Sequence, residues 1–256
     1  VRRIHVHIPY QRVREHLELL RRESLNIEIY FPSSTLDNID REDILSLKKD
    51  LDYKPTISIH GPFMDLSPGA VDSKVREVTI MRFSSILDIA EILNPESIVF
   101  HSGYEKWKYA HKIGVWLEGC MQTWPELIER AETIGVRIAI ENIFEDEPSN
   151  LVLLMKELRS GSFGICFDTG HCNLFSKVPL EEWLDALRPF IFELHLHDND
   201  GTFDSHLPIG DGTFDFSLLF RKLGDLDCLY TIEAHTPERV IKSLERLNAI
   251  ANLSGS

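Results

Sequence analysis

Short β-branched runs recur along the chain: IHVHI (4–8), IEIYF (27–31), TISIH (56–60), SIVFH (97–101), RIAIE (137–141), FGICFD (163–168), IFELH (191–195) and LYTIE (229–233). Each predicts a strand. Between them, apolar residues return every three or four positions over 12–22, 72–93, 113–134, 180–187, 216–223 and 237–251, which predicts amphipathic helices. Another helix is expected over 150–159, capped by Ser149 or Asn150. Eight strands alternating with helices imply parallel βα units, and eight is the number that closes a (β/α)₈ barrel. An open doubly wound sheet shares this alternation, but no G-x-G-x-x-G follows a strand, which weakens its dinucleotide-binding version. No linker or low-complexity tract divides the chain, so residues 1–256 are expected to form one domain, with the closing SGS an appended or frayed tail.

Charge narrows the partners. Lys and Arg number 27 against 41 Asp and Glu, a net charge of −14, so the molecule repels polyanions at long range. That argues against a DNA-coating surface but not against a local cationic site. The four cysteines (Cys120, Cys166, Cys172, Cys228) form no C-x-x-C pair, and no secretory segment is evident. Reduced thiols in a cytoplasmic protein are expected. No apolar run approaches the roughly 20 residues that span a bilayer, so no membrane partner is expected.

The strands from the third onward end in His60, His101, Glu141, Asp168, His195 and Glu233. In a parallel barrel all strand C-termini open on one face, so these six side chains would converge. One strand-terminal His is most simply a hydrogen-bonded or capping residue; six His or acidic residues in succession point to a shared site. Just past the strand ends lie His171 in DTGH, and Asp204 and His206 in DSH. Imidazoles and carboxylates together suit Zn²⁺, Mn²⁺, Fe²⁺ or Co²⁺.

The stretches SIHGPFMDL, VFHSGYE, AIENIFE, FDTGH, LHLHD, DSHLPIGDG and TIEAH, which run from residue 57 to 235, resemble the xylose isomerase-like barrel superfamily (AP endonuclease family 2 and the sugar phosphate isomerases and epimerases). In ligand pattern they are most similar to endonuclease IV. The resemblance implies one metal on His60, His101 and Glu141. It implies a second, bridged by Glu141, on Asp168, His195 and Glu233, and a third on His171, Asp204 and His206. It also offers two chemistries. One ion with Glu141, Asp168 and Glu233 leaves a net charge of −1, which suits a neutral sugar with Glu141 and Glu233 as the acid–base pair of an isomerase or epimerase. Three ions with those acids and Asp204 leave +2, which suits hydrolysis of an anionic phosphoester. The family's epimerases usually carry an H-x-x-E-x-N-R-like sequence after the seventh strand, whereas this chain has Asp-x-His. The expected activity is therefore metal-dependent phosphoester hydrolysis with one to three divalent ions, Zn or Mn, and the isomerase is the alternative.

The DNA reading thins at the loops. ENIFEDEPSN and HDNDGTFD are acidic, and only GYEKWKYAHKIG interleaves Lys106 and Lys108 with Trp107, enough for one phosphate or ring but not a duplex. A small phosphorylated or sugar-like substrate is expected, with Phe63, Lys106, Trp107 and Lys108 as candidate contacts. Endonuclease IV-type enzymes carry apolar wedge residues where Phe63 and Met64 stand; packing or a lid over a small ligand is the plainer role for this pair. Gly61, Gly170, Gly210 and Gly212 are expected in turns. His5, His7, His16, His111, His197 and His235 are read first as structural, with contacts to the ligands plausible for His197 and His235. Cys166, Trp116, Trp124 and Trp183 are expected to be buried filler and core.

Overall fold

Each apolar run becomes a strand because its alternate residues meet two different surroundings, the helix ring outside and the barrel interior within. The computed structural model describes residues 3–253; the closing SGS lies outside them. Strands β1 (Ile4–Pro9), β2 (Asn26–Tyr30), β3 (Ile57–His60), β4 (Ser97–His101), β5 (Arg137–Glu141), β6 (Phe163–Asp168), β7 (Ile191–Leu196) and β8 (Leu229–Ile232) pair in parallel and in chain order. β8 returns to β1, with Val6 beside Ile232, and the barrel closes. The registers that matter later set His101 beside Glu141, and Asp168 beside His195.

Helices α1 (Tyr10–Val13), α2 (Leu17–Arg22), α3 (Ser33–Leu36), α4 (Arg41–Asp50), α5 (Ser73–Leu93), α6 (Ile113–Ile134), α7 (Ser149–Leu158), α8 (Thr169–Phe175), α9 (Leu180–Leu187), α10 (Phe216–Leu223) and α11 (Pro237–Leu253) form the ring and its connections. The helix expected over 12–22 is broken by a 3-10 turn at Arg14–His16 into α1 and α2. α4 escaped the periodicity because only Ile44 and Leu47 are buried on it. Its start is marked instead by a reciprocal capping box between Asp40 and Asp43. The cap expected from Ser149 or Asn150 is not made: α7 begins after Pro148, and the Ser149 N–H donates to Glu147. Asn150 is buried and donates to Glu145 instead.

Outside the strands, Trp116, Trp124 and Trp183 are fully buried, and Phe83, Phe100 and Trp124 stack between α5, β4 and α6. Inside, Val99, Ala139 and Cys166 make a small apolar cluster. The remainder of that layer is polar and internally satisfied, unlike the branched aliphatic filling common in such barrels. His5 sits between the hydroxyls of Ser58 and Thr56 at 2.8 and 2.9 Å. Glu193 accepts from Ser97 and from Thr231. Burial, and then the neighbouring Glu28 charge, push the Glu193 carboxyl up to about 7. All four cysteines are buried free thiols. Among the described residues, no helix is long and apolar enough to cross a membrane.

Because folded Glu193 keeps its proton to about pH 7 while the unfolded chain loses it near 4.5, this residue's contribution to stability falls as pH rises through that window. Glu193→Gln retains both hydroxyl contacts without the charge. It should leave Tm near pH 5 unchanged and raise it at pH 8 by a few degrees, on the order of 1 kcal/mol. Thermal melts at both pH values check this, and an equal offset at both would refute it.

Candidate metal centre

The strand C-termini deliver six of the candidate ligands. His60, His101, Glu141 and Asp168 close β3 to β6; His195 stands one residue before the end of β7, and Glu233 one residue beyond β8. Glu141 is the hub. Its Oε2 lies 3.1 Å from His60 Nε2, 3.4 Å from His101 Nε2 and 3.7 Å from His195 Nδ1. Its Oε1 lies 3.0 Å from His171 Nδ1. Glu233 reaches His195 Nδ1 at 3.2 Å and His206 Nδ1 at 3.6 Å. The Asp204 Oδ2 stands between His206 Nε2 at 3.2 Å and His171 Nε2 at 3.5 Å. The nine residues singled out from sequence thus converge on one mouth.

Three of these side chains supply a test of metal fit. His171 Nδ1, His195 Nδ1 and Asp204 Oδ1 are buried polar atoms without a hydrogen-bond partner. Nearby carboxylate oxygens are close but wrongly angled, as at 3.0 Å for His171 and Glu141. An uncompensated buried polar atom is costly, and a bound cation is a partner that imidazole nitrogens and carboxylate oxygens can share. His60, His101 and Glu141 offer ligand atoms within 4.8 Å of one another; so do His60, His195 and Glu233. The residues fit divalent ions.

Electrostatics agree. Burial alone would lower the His195 imidazole, but Cys166 and the Glu28, Glu233 and Glu141 carboxylates outweigh it and hold the ring well above its usual range. His171 is likewise raised well above despite burial, by Asp168, Asp204 and Glu141. His60 and His206 also rise, while burial dominates at His101 and lowers it. Conversely, burial would lift Glu141, yet His101 and His195 hold it well below the carboxylate range; Glu233 falls to about 2 for the same reason.

Sequence reasoning missed Glu28 and underrated His7 and His197. Glu28 is fully buried in β2, accepting from His195 Nε2 at 3.3 Å and from His7 Nδ1 at 2.8 Å. It fixes the His195 tautomer so that Nδ1 faces the centre. His7 also approaches Glu233 Oε1 at 3.2 Å and stacks on Tyr30. His197 Nε2 donates to the Asp168 carboxylate at 2.9 Å. A detectable signal existed: Glu28 is a lone charge inside an apolar strand, and His7 and His197 share the inward parity of His5 and His195.

The acidic loop after β7 is a brace. Asp198 accepts from the N–H groups of Asn199, Gly210, Gly212 and Phe214, and the loop closes through paired backbone bonds between Asp198 and Leu207. It holds His206 at a φ of +44°, a strained conformation for a non-glycine residue. Gly170 lies so close beneath the His197 ring that an added Cβ would stand 2.1 Å from Cε1. Asp211 faces outward to Lys242 and Arg246.

Two expected substrate contacts fall elsewhere. Lys106 pairs with Asp146 outside the main cavity, and Trp107 is 77% exposed with its ring against His111. Acidic Asp146 draws Lys106 away from the mouth. Phe63 and Lys108 do line the cavity. Phe63 stacks on His101 with centroids 4.2 Å apart, and Lys108 reaches Ser67 at 3.2 Å. Met64 is 71% exposed at the rim, so it is not core. The cavity measures about 1020 Å³.

A closed barrel with a His- and carboxylate-lined mouth defines a class, and residues 26–250 match the family described as Xylose isomerase-like TIM barrel; the chain belongs to it. Among its relatives, the uncharacterized protein MJ1311 of Methanocaldococcus jannaschii is 32% identical over 205 residues, 76% of this chain and 70% of that one. The TTHB071 protein of Thermus thermophilus, in a structure soaked with zinc chloride, is 29% identical with a TM-score of 0.81 over 98% of both chains. A D-tagatose 3-epimerase-like protein is 27% identical with a TM-score of 0.82, over 99% of this chain and 98% of that one. Endonuclease IV of Thermus thermophilus, at 19% identity and a TM-score of 0.69 over 98% and 99%, shares the fold.

Two outcomes follow. Glu28→Gln should weaken zinc binding by about 10- to 100-fold in a competitive chelator titration while leaving the far-UV CD spectrum unchanged; undiminished affinity would remove Glu28 from this role. Zinc added at pH 7 should displace protons from the raised His171 and His195, detectable with a pH indicator. The release should shrink as pH rises through those imidazoles, and release that instead grew with pH would contradict it.

Proposed function

We propose that the protein hydrolyses a phosphoester of a small substrate, using two or three divalent ions held by His60, His101, Glu141, Asp168, His171, His195, Asp204, His206 and Glu233. The observation that carries this reading is the Glu141 carboxylate: Oε2 faces His60, His101 and His195, while Oε1 faces His171. Four imidazoles around one carboxylate, with Asp168 and Glu233 beside them, are more ligands than one ion takes, which favours more than one ion at Glu141. His171, Asp204 and His206 then offer a third position that a one-ion enzyme has no need of. Mixed nitrogen and oxygen donors suit zinc or manganese, and the zinc-soaked TTHB071 relative supports zinc.

When bound, the ions would lower the pKa of a water and neutralise charge on the departing oxygen. The balanced reaction adds the water oxygen to phosphorus and breaks the bond to the alcohol oxygen, giving the alcohol and phosphate. The chain's own residues do the rest. Glu141 and Glu233 anchor the ligand field, and Glu233 can take the water's proton. Lys108 places a cation on the cavity wall, while Phe63, Ile143 and Phe175 present apolar surface that limits bulk water.

A second reading is favoured by the D-tagatose 3-epimerase-like relative and by Glu141 and Glu233 both lying within 4 Å of His195 Nδ1. In it, one ion on Glu141, Asp168, His195 and Glu233 holds a sugar while Glu141 and Glu233 move protons at carbon.

Elemental analysis of purified protein should give two to three ions per chain. His206→Ala should remove one and cut phosphoesterase turnover at least about tenfold. A single ion per chain, with epimerisation of ketoses unaffected at His206, would replace the first reading by the second. Glu141→Gln should abolish turnover under either, and survival of activity would defeat both.

A further inference from the structure

The cavity does not end at the metal mouth. In β1 the inward residues are His5 and His7, so Val6 and Ile8 point outward, towards the helix ring. Both nevertheless line the same continuous cavity as His60, Glu141 and Glu233. The reason is local. The segment covering β1 is broken into α1, a 3-10 turn and α2, and the six residues of α2 span only about 9 Å. Between that short helix and the first turns of α11 a narrow outer chamber is left, bordered by the half-buried Leu19, Val240 and Ile241 and floored by Val6, Ile8 and Leu20, which keep 4%, 7% and 3% of their surface exposed. Pro9 and Ala234, next in sequence to Ile8 and Glu233, line the same cavity. Arg12 and His16, 3.0 Å apart, stand at its rim.

Two features identify the occupant. The walls are aliphatic and offer nothing to hydroxyl groups, so a sugar ring would lose its hydration there without replacement. The whole cavity, about 1020 Å³, lies at the top of the roughly 300–1,000 Å³ range of pockets that bury drug-sized ligands, more than a phosphate head alone would fill. We propose that the chamber takes the unbranched apolar chain of an amphiphilic substrate whose polar, oxygen-bearing end lies at the metal centre. The inference rests on the phosphoester reading for the head group and adds the chain. Apolar specificity then comes from β1, α2 and α11, and the chemistry from the strand ends.

The test uses zinc-loaded full-length protein and titration calorimetry with methyl, butyl, hexyl and octyl phosphate. Affinity should rise about fourfold per methylene until the chamber is filled. Leu19→Trp and Val240→Trp, which fill it from opposite walls, should abolish that rise and leave methyl phosphate binding unchanged; CD and thermal melts confirm folding. Equal affinity from methyl to octyl, or an unaltered rise in both tryptophan variants, would overturn the chamber's role. 1-Hexanol and 1-octanol, which lack the phosphate, separate the two readings. If methyl phosphate fails to bind but alkanol affinity grows with length and is lost in the variants, the chamber stands and the phosphoester head group falls.

Discussion

A carboxylate 1% exposed at the centre of a protein would be neutralised or expelled unless positive charge surrounded it, and Glu141 is such a carboxylate. Four imidazoles, from β3, β4, α8 and β7, come within 4 Å of its two oxygens. The rest of the mouth follows from that compensation. His195 finds further partners in Glu28 and Glu233 and His171 in Asp204, and these acids raise both rings, while His60 donates to the Gly61 carbonyl. The result is an alternating lattice of acids and bases in which no member is stable alone. Its excess of ligand lone pairs over protons can be settled by divalent cations.

Such a lattice needs a frame that cannot relax, and the barrel supplies it in two ways. Hydrogen bonding between neighbouring strands sets His101 against Glu141 and Asp168 against His195. The loops are then pinned by polar groups spent on backbone: Asp198 on four N–H groups, and Asn142 on both the N–H and the carbonyl of Asp168. Phe63 flat against His101 fixes one ring from the side, and Gly170 lets His197 close beneath Asp168. Loss of conformational freedom is thereby spread over residues that bind nothing, and the ligand atoms stay pre-arranged.

The barrel was legible because period-two alternation and β-branching mark strands whatever lies inside them, and six of the nine candidate ligands because they end strand runs in order; His171, Asp204 and His206 lie past the strand ends. What stayed hidden was set by contacts across the barrel. Glu28 looks like a strand residue until β7 brings His195 to it from 167 residues away. For His7 in β1 and His197 just past β7, parity marks the inward direction but carries no sign of which acid each will meet. Lys106 misled for the opposite reason: a basic, aromatic loop suggests a substrate grip, but Asp146 across the loop neutralises it. α4 was hidden because a helix with two buried residues has almost no apolar stripe.

Glu28 also changes the charge balance that separates the two chemistries. Three divalent ions against Glu141, Asp168, Glu233 and Asp204 leave +2, and counting Glu28 reduces this to +1; two ions give −1 on the same count. On the proposed reading a third ion would therefore strengthen the attraction for a phosphate head, whereas a neutral sugar would be indifferent to it. That third position is also the wettest. Asp204 is 32% exposed, against 1% or less for Glu141 and Asp168. On the proposed reading an ion there would be more screened by solvent than its neighbours and so the most easily lost. On the proposed reading the scaffold carries a fixed inner pair of sites and one outer site whose occupancy sets the sign of the mouth. Asp204 and His206 hold the balance between hydrolysis of an anion and proton transfer on a neutral substrate, and the His206 backbone strain is the cost of placing that ligand at the edge.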